Sequence, residues 1–152
     1  MDREAVVTFQ IYHNEETPIS MSSGLLLFFG LHGSSTLHTV QGDFALPENA
    51  VYIASPLTLF RVCCRDGEAL LSMTIAPGIL RRAGWEETMA ADCLLPAEKA
   101  SDASHNAIRQ GMATLFRSLF REGNRLSKTA AQAETLVSNI CRDFAVADVH
   151  HP

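Results

Sequence analysis

The chain has 152 residues, 47% of them hydrophobic, which suits one domain built around one core. Its formal net charge is −5, and its twelve Lys and Arg are scattered, so no basic surface is expected to neutralise phosphates and this segment reads as a poor nucleic-acid binder by itself. The longest apolar run, residues 25–31, contains Gly30 and is far shorter than the roughly 20 residues a transmembrane helix needs, so no membrane span is expected. The opening Met1-Asp2-Arg3-Glu4 carries both signs of charge and lacks the apolar core of a signal peptide, which places the chain in the cytosol. There Cys63, Cys64, Cys93 and Cys141 are expected to be reduced. None lies in a zinc-type spacing, and they read as buried inert thiols.

From Ala5 to Thr74, short apolar or alternating runs are broken by turn residues, the pattern of an antiparallel barrel or sandwich. Strands are predicted at Val6–Tyr12, Gly24–Leu31, Thr36–Val40, Asp43–Leu46, Val51–Ala54, Leu59–Cys64 and Ala69–Ile75. Gln41-Gly42 and Asp66-Gly67 read as hairpin connections, since glycine accepts the positive φ of a tight turn. Pro77 opens a short helix with Ile79 and Leu80 on its apolar face and Gly84 at its exit. Asp92–Ser104 reads as a loop around Pro96. Beyond it, Ile108, Met112, Leu115, Phe116, Leu119 and Phe120 recur at three- and four-residue steps and form one helical stripe, stopped by Glu122-Gly123-Asn124. A second stripe follows in Ala133, Leu136, Val137, Ile140, Cys141 and Phe144, with Thr129 and Gln132 spaced as a capping box. Two helices so joined form an antiparallel pair.

Four segments carry a family resemblance. They are Gly33-Ser34-Ser35-Thr36-Leu37, then Phe44-Ala45-Leu46-Pro47-Glu48-Asn49-Ala50, Ser55-Pro56, and residues 70–80 with their proline-led helix. Taken in order from Ser20 to Leu80, they resemble the N-terminal cupin domain of AraC-family transcription regulators. The resemblance implies a mainly β chain: a cupin-like antiparallel barrel over 5–76, a short helix and loop over 77–100, and dimerisation helices over 102–146. It also implies a homodimer that senses a small-molecule effector, and DNA contact only through helix-turn-helix units that these residues do not contain.

The chain departs from the pattern where metal-binding cupins place a His-x-His pair and a later histidine. Ser20-Met21-Ser22 and Phe60 stand there, so no metal, no cofactor and no metal-dependent catalysis are expected. The family's Gly-Asp turn is replaced by Asn49-Ala50, which the left-handed tolerance of asparagine allows.

Ser20 and Ser22 read either as ligand contacts at the barrel mouth or as plain loop residues. Phe28, Tyr52 and Phe60 either line an apolar pocket or fill the core. His38 either points into the barrel to hydrogen-bond a ligand or lies satisfied at the surface. Trp85 reads as a lid or packing residue, Arg61 and Arg65 as anion contacts or solvated charges, and Glu15-Glu16 and Glu86-Glu87 as surface charge. His150-His151 sit where a chain end frays. No Gly-x-Ser-x-Gly, phosphate-cradling loop or nucleophile with a histidine partner occurs in the sequence.

The leading reading is therefore a non-enzymatic regulatory module. The alternatives are a small cupin enzyme, such as an isomerase or dioxygenase, and a dimerisation module without a ligand. The dimer contact is expected on Leu115, Phe116, Leu119 and Phe120 of the first helix and Leu136 and Ile140 of the second, whose stripes are wider than the barrel alone can cover.

Overall fold

Hydrophobic alternation in the first half of the chain produces an antiparallel sheet that curls into a nearly closed barrel. The computed structural model describes residues 6–99, 102–122 and 126–147. The strands are β1 (Val7–Glu16), β2 (Leu25–His32), β3 (Ser34–Thr39), β4 (Gly42–Pro47), β5 (Val51–Ala54) and the long β6 (Phe60–Ile75). Helix α1 (Pro77–Arg82), strands β7 (Met89–Ala90) and β8 (Cys93–Leu95), and helices α2 (Ala103–Glu122) and α3 (Leu126–Asp143) follow, and β9 (Val146–Ala147) pairs with β7. The main sheet runs β4-β3-β6-β2-β5-β8, with β1 against β6. No helix among the described residues is long and apolar enough to cross a membrane.

The period of two divides the apolar residues between two cores. On β5, Tyr52 and Ala54 face the barrel interior with Phe28, Leu37, Leu46, Val62 and Leu70, while Val51 and Ile53 face outward. The outward set, with Leu25, Leu27, Met73 and Ile75, is covered by Ile108, Met112 and Leu115 of α2 and by Ala133, Leu136, Val137 and Ile140 of α3. The barrel is drawn together at Gly30: its N–H donates to Ala50 O at 3.0 Å, and Asn49 N–H donates to Gly30 O at 3.0 Å. A Cβ at Gly30 would lie 2.0 Å from Pro47 O, so only glycine permits this approach. Asn49 takes φ 73°, so the Asn49-Ala50 turn keeps the left-handed step expected of it.

Helix α1 ends as the sequence indicates. Gly84 has φ 99°, Trp85 N–H donates to Leu80 O at 2.8 Å, and Gly84 N–H donates to Arg81 O, which closes a Schellman motif. Trp85 packs partly buried against the helix-side core.

Three expectations are corrected. Asp66-Gly67 does not reverse the chain: both halves of β6 run antiparallel to β1, with Glu15 opposite Cys64 and His13 opposite Ala69. Residues 65–68 form a bulge opposite Asn14, held by Arg65 N–H donating to Glu68 Oε1 at 2.7 Å, and Gly67 uses its positive φ there. The expected loop 92–104 contains β8, whose three residues pair with β5 and are too few to show a period. Thr129 and Gln132 do not start the second helix, which begins at Leu126; Thr129 lies buried within it. The expected stop at Gly123-Asn124 and the fraying of His150-His151 lie outside the described residues.

Candidate functional site

Inside the barrel the structure brings together three of the six residues singled out for ligand contact. Phe28 and Tyr52 are fully covered and Phe60 nearly so. The Phe28 and Phe60 rings meet edge-on at 5.3 Å, and Tyr52 lies 4.6 Å from the Phe44 ring. The Tyr52 hydroxyl is buried without a hydrogen-bond partner. Burial raises its pKa, opposed in part by the nearby Thr39 hydroxyl. That hydroxyl is itself engaged, donating to Gly42 O at 3.2 Å and accepting from Gln41 N–H at 3.0 Å.

The other three stay out of the barrel interior, although Ser20 pairs with Phe60 and His38 borders an outer hollow that Phe60 also lines. Ser20 exchanges both backbone hydrogen bonds with Phe60, and its hydroxyl donates to Pro18 O at 3.1 Å. Ser22 Oγ accepts from Gly24 N–H at 3.0 Å and fixes the entry to β2. Both hydroxyls thus serve the backbone of their own loop. His38 is on the outside, because its neighbour Leu37 takes the interior position opposite Val62. Its Nδ1 lies 2.8 Å from Asp43 Oδ1, the cross-strand partner on β4.

A metal does not fit at positions 20, 22 and 60, where two hydroxyls are engaged with backbone and the third side chain is hydrocarbon. Among the described residues, no three His, Cys, Asp or Glu side chains converge to form a metal site. Three of the cysteines are protected thiols. Burial raises Cys64 and Cys141, and it pushes Cys93 up to about 11 with help from Asp92, so neutral inert thiols persist near neutral pH.

An apolar opening lies on the other side of the sheet. Strand β1 turns Phe9 and Ile11 outward, and β2 and β6 add Phe29, Leu31 and Leu71. Helix α2 crosses this face with its buried stripe inward and packs against α3. A groove of about 200 Å³ remains along α2 between Ile11, Phe29, Leu31 and Leu71 on the sheet and Met112, Ala113 and Phe116 on the helix. It opens into a wider hollow edged by Phe9, Leu119 and Phe120. Phe116 stacks edge-on against Phe9 at 5.1 Å and contacts Phe120 at 5.3 Å. Phe120 is 79% exposed, Ile11 46% and Leu31 38%.

Arg109 stands at the far end of the groove. Its Nε donates to Asn49 O at 2.9 Å and one Nη donates to Leu95 O and Pro96 O at 3.1 and 2.9 Å. The other Nη is buried with no acceptor, and burial lowers the pKa of the group.

This geometry divides the residues expected at a dimer contact. Leu115, Leu136 and Ile140 are fully buried within their own chain, where they hold the helices on the sheet, so that part of the expected contact is corrected. Phe116 and Leu119 are half-buried and Phe120 is exposed. The strand residues Phe9, Ile11 and Leu31 and the lone Arg109 escape a reading based on helical stripes. The odd-numbered apolar positions of β1, continuing past Val7, were the available signal for the first two.

No protein-family model matches the chain, and no curated protein matches it. Over about half of its length the chain is similar to several solved structures. A conserved protein of unknown function from Streptococcus pyogenes is 13% identical with a TM-score of 0.44, over 50% of this chain and 68% of that one. A cupin superfamily protein from Desulfitobacterium hafniense is 13% identical with a TM-score of 0.44, over 49% and 72%. Salicylate 1,2-dioxygenase from Pseudoaminobacter salicylatoxidans, in adduct with gentisate, is 12% identical with a TM-score of 0.43, over 53% of this chain and 23% of that one.

Proposed function

We propose that this chain is the effector-sensing and self-associating module of an AraC-type transcription regulator, cytoplasmic, binding a small molecule without turning it over and reaching DNA only through another part of the regulator. The observation that carries the reading is the continuous apolar surface running from the groove beneath α2 to Phe9, Leu119 and the exposed ring of Phe120. Soluble proteins seldom keep such a surface uncovered unless it meets a partner or a ligand. A second copy related by a two-fold axis covers its open end, because the same patch then serves both molecules. Ile11 and Phe116 border both the groove and the open hollow, so what fills the groove touches residues that meet the second copy. That shared wall is where a sensing module couples ligand to association, each altering the apparent affinity of the other.

Sedimentation velocity of the chain at tens of micromolar tests the reading. The wild-type protein is expected to sediment as a dimer and Phe120→Arg as a folded monomer, since an uncompensated guanidinium in a dry contact opposes association. A wild-type monomer, or a Phe120→Arg dimer, would overturn it.

A further inference from the structure

Resting on the reading of this chain as a self-associating module, we infer that the outer edge of β1 pairs antiparallel with the same edge of a second copy. The two-fold axis lies at Gln10 and sets Phe9 of each chain opposite Ile11 of the other.

The edge is open. Among the described residues β1 pairs with β6 alone. In an antiparallel ladder the N–H and C=O of one residue point to the same side, and the side alternates along the strand. Ala76 N–H donates to Val6 O at 3.0 Å, so Val6, Thr8, Gln10 and Tyr12 turn their main-chain groups to β6. Val7, Phe9 and Ile11 turn theirs away from it, and among the described residues no strand takes them up.

The edge is also unguarded. Folded proteins usually protect an exposed edge with charge, proline or a bulge. Residues 7–12, Val-Thr-Phe-Gln-Ile-Tyr, hold neither charge nor proline and are rich in strand-forming side chains. The irregularity in β1 comes only between His13 and Glu15. Thr8, Gln10 and Ile11 are exposed.

A second copy is the occupant because the edge complements itself. Main-chain groups that meet across the new ladder must both point outward, so an odd-numbered residue of one chain faces an odd-numbered residue of the other. Centring on Gln10 satisfies this and sets aromatic Phe9 against β-branched Ile11, a favourable cross-strand pair. Phe9, Gln10 and Ile11 also edge the hollow that reaches Leu119 and Phe120, the surface already assigned to the second copy. A two-fold axis normal to the sheet keeps both α2 helices on one face and brings the two hollows side by side. The pairing uses up the same edge on both chains, so the assembly closes at two copies.

The test is amide hydrogen exchange, followed by NMR on the full chain, in concentrated wild-type protein and in the Phe120→Arg monomer. The Phe9 and Ile11 amides are expected to exchange about tenfold or more slowly in the wild-type dimer, while those of Gln10 and Tyr12, bonded to β6 in both samples, exchange alike. Sedimentation of Gln10 variants is a second readout. Gln10→Lys and Gln10→Glu each set like charges opposite one another at the axis and should weaken the dimer about fivefold, and mixing the two should restore it as a heterodimer.

Phe9 and Ile11 amides that exchange equally fast in dimer and monomer would overturn the inference and leave association through side chains standing. Slow exchange already present in the Phe120→Arg monomer would assign the edge to cover within one chain and also overturn it. So would Gln10 variants that associate no better mixed than alone. A wild-type chain that sediments as a monomer removes both the pairing and the reading beneath it.

Discussion

Leu115 and Phe120 lie on one apolar stripe of α2, yet the structure gives them different work, and truncating each to alanine separates the two roles. Leu115 is fully buried between helix and sheet. Leu115→Ala removes its packing and leaves a cavity, at a cost of about 2–5 kcal/mol. For a chain of this length that lowers Tm by roughly 4–20 °C, at about 2–4 °C per kcal/mol. Phe120 is 79% exposed, so about a fifth of its surface is covered in the single chain. A phenyl side chain offers about 200 Å², so roughly 40 Å² is lost, equivalent to about 1 kcal/mol at 25 cal/mol/Å² as an upper bound. Urea unfolding followed by far-UV circular dichroism measures both, and sedimentation of the folded variants reads association. Leu115→Ala should be the less stable variant and still dimerise once folded; Phe120→Ala should fold nearly as well as wild type and dimerise weakly. Phe120→Ala costing more than Leu115→Ala, or dimerising undiminished, would refute the division of the stripe.

Gly30→Ala should destabilise the barrel by about 2 kcal/mol or more in urea, since the added Cβ meets the Pro47 carbonyl and disturbs two cross-barrel hydrogen bonds; a loss under about 0.5 kcal/mol would contradict the closure described. Gly78→Ala on α1, whose Cβ would meet only the Arg81 guanidinium at an ordinary 3.9 Å, should instead raise stability by about 0.5–1 kcal/mol, and a lowered midpoint in the same assay would count against the α1 geometry. Cys93 retains its proton up to about 11 in the folded chain, against an ordinary 9.0, so its contribution to stability is present below pH 9 and is lost as pH rises from there through 11. Cys93→Ser should flatten that alkaline fall in a pH series of urea midpoints, and an unchanged slope would argue against the burial assigned to this thiol.

The barrel was legible because its strands alternate and its turns carry Gly, Asn and Pro. What escaped was set by pairing at a distance. Cys93–Leu95 is too short to show a period and becomes a strand only because β5 offers it an open edge. Asp66-Gly67 carries a hairpin's residues but serves a bulge, since both flanks already pair with β1. The helical stripes were read correctly as apolar and wide, while the line between Leu115, turned to the sheet, and Phe120, turned to solvent, depends on how α2 is rotated on the barrel. His38 and Leu37 exchange inside for outside with a one-residue step in register, which alternation alone does not fix. Arg109 resembles any solvated helix residue in the sequence; its place is set by three carbonyls, from the Asn49 turn and the end of β8.

The central claim, self-association through the open end of the α2 groove, is tested most directly by isotope-filtered NOE measurements on a mixture of labelled and unlabelled chains. The account predicts intermolecular contacts from Phe120, Leu119 and Ile11 and none from Leu136 or Ile140. Intermolecular contacts confined to the β3–β4 hairpin, or their absence in a sample concentrated to the millimolar range, would contradict it.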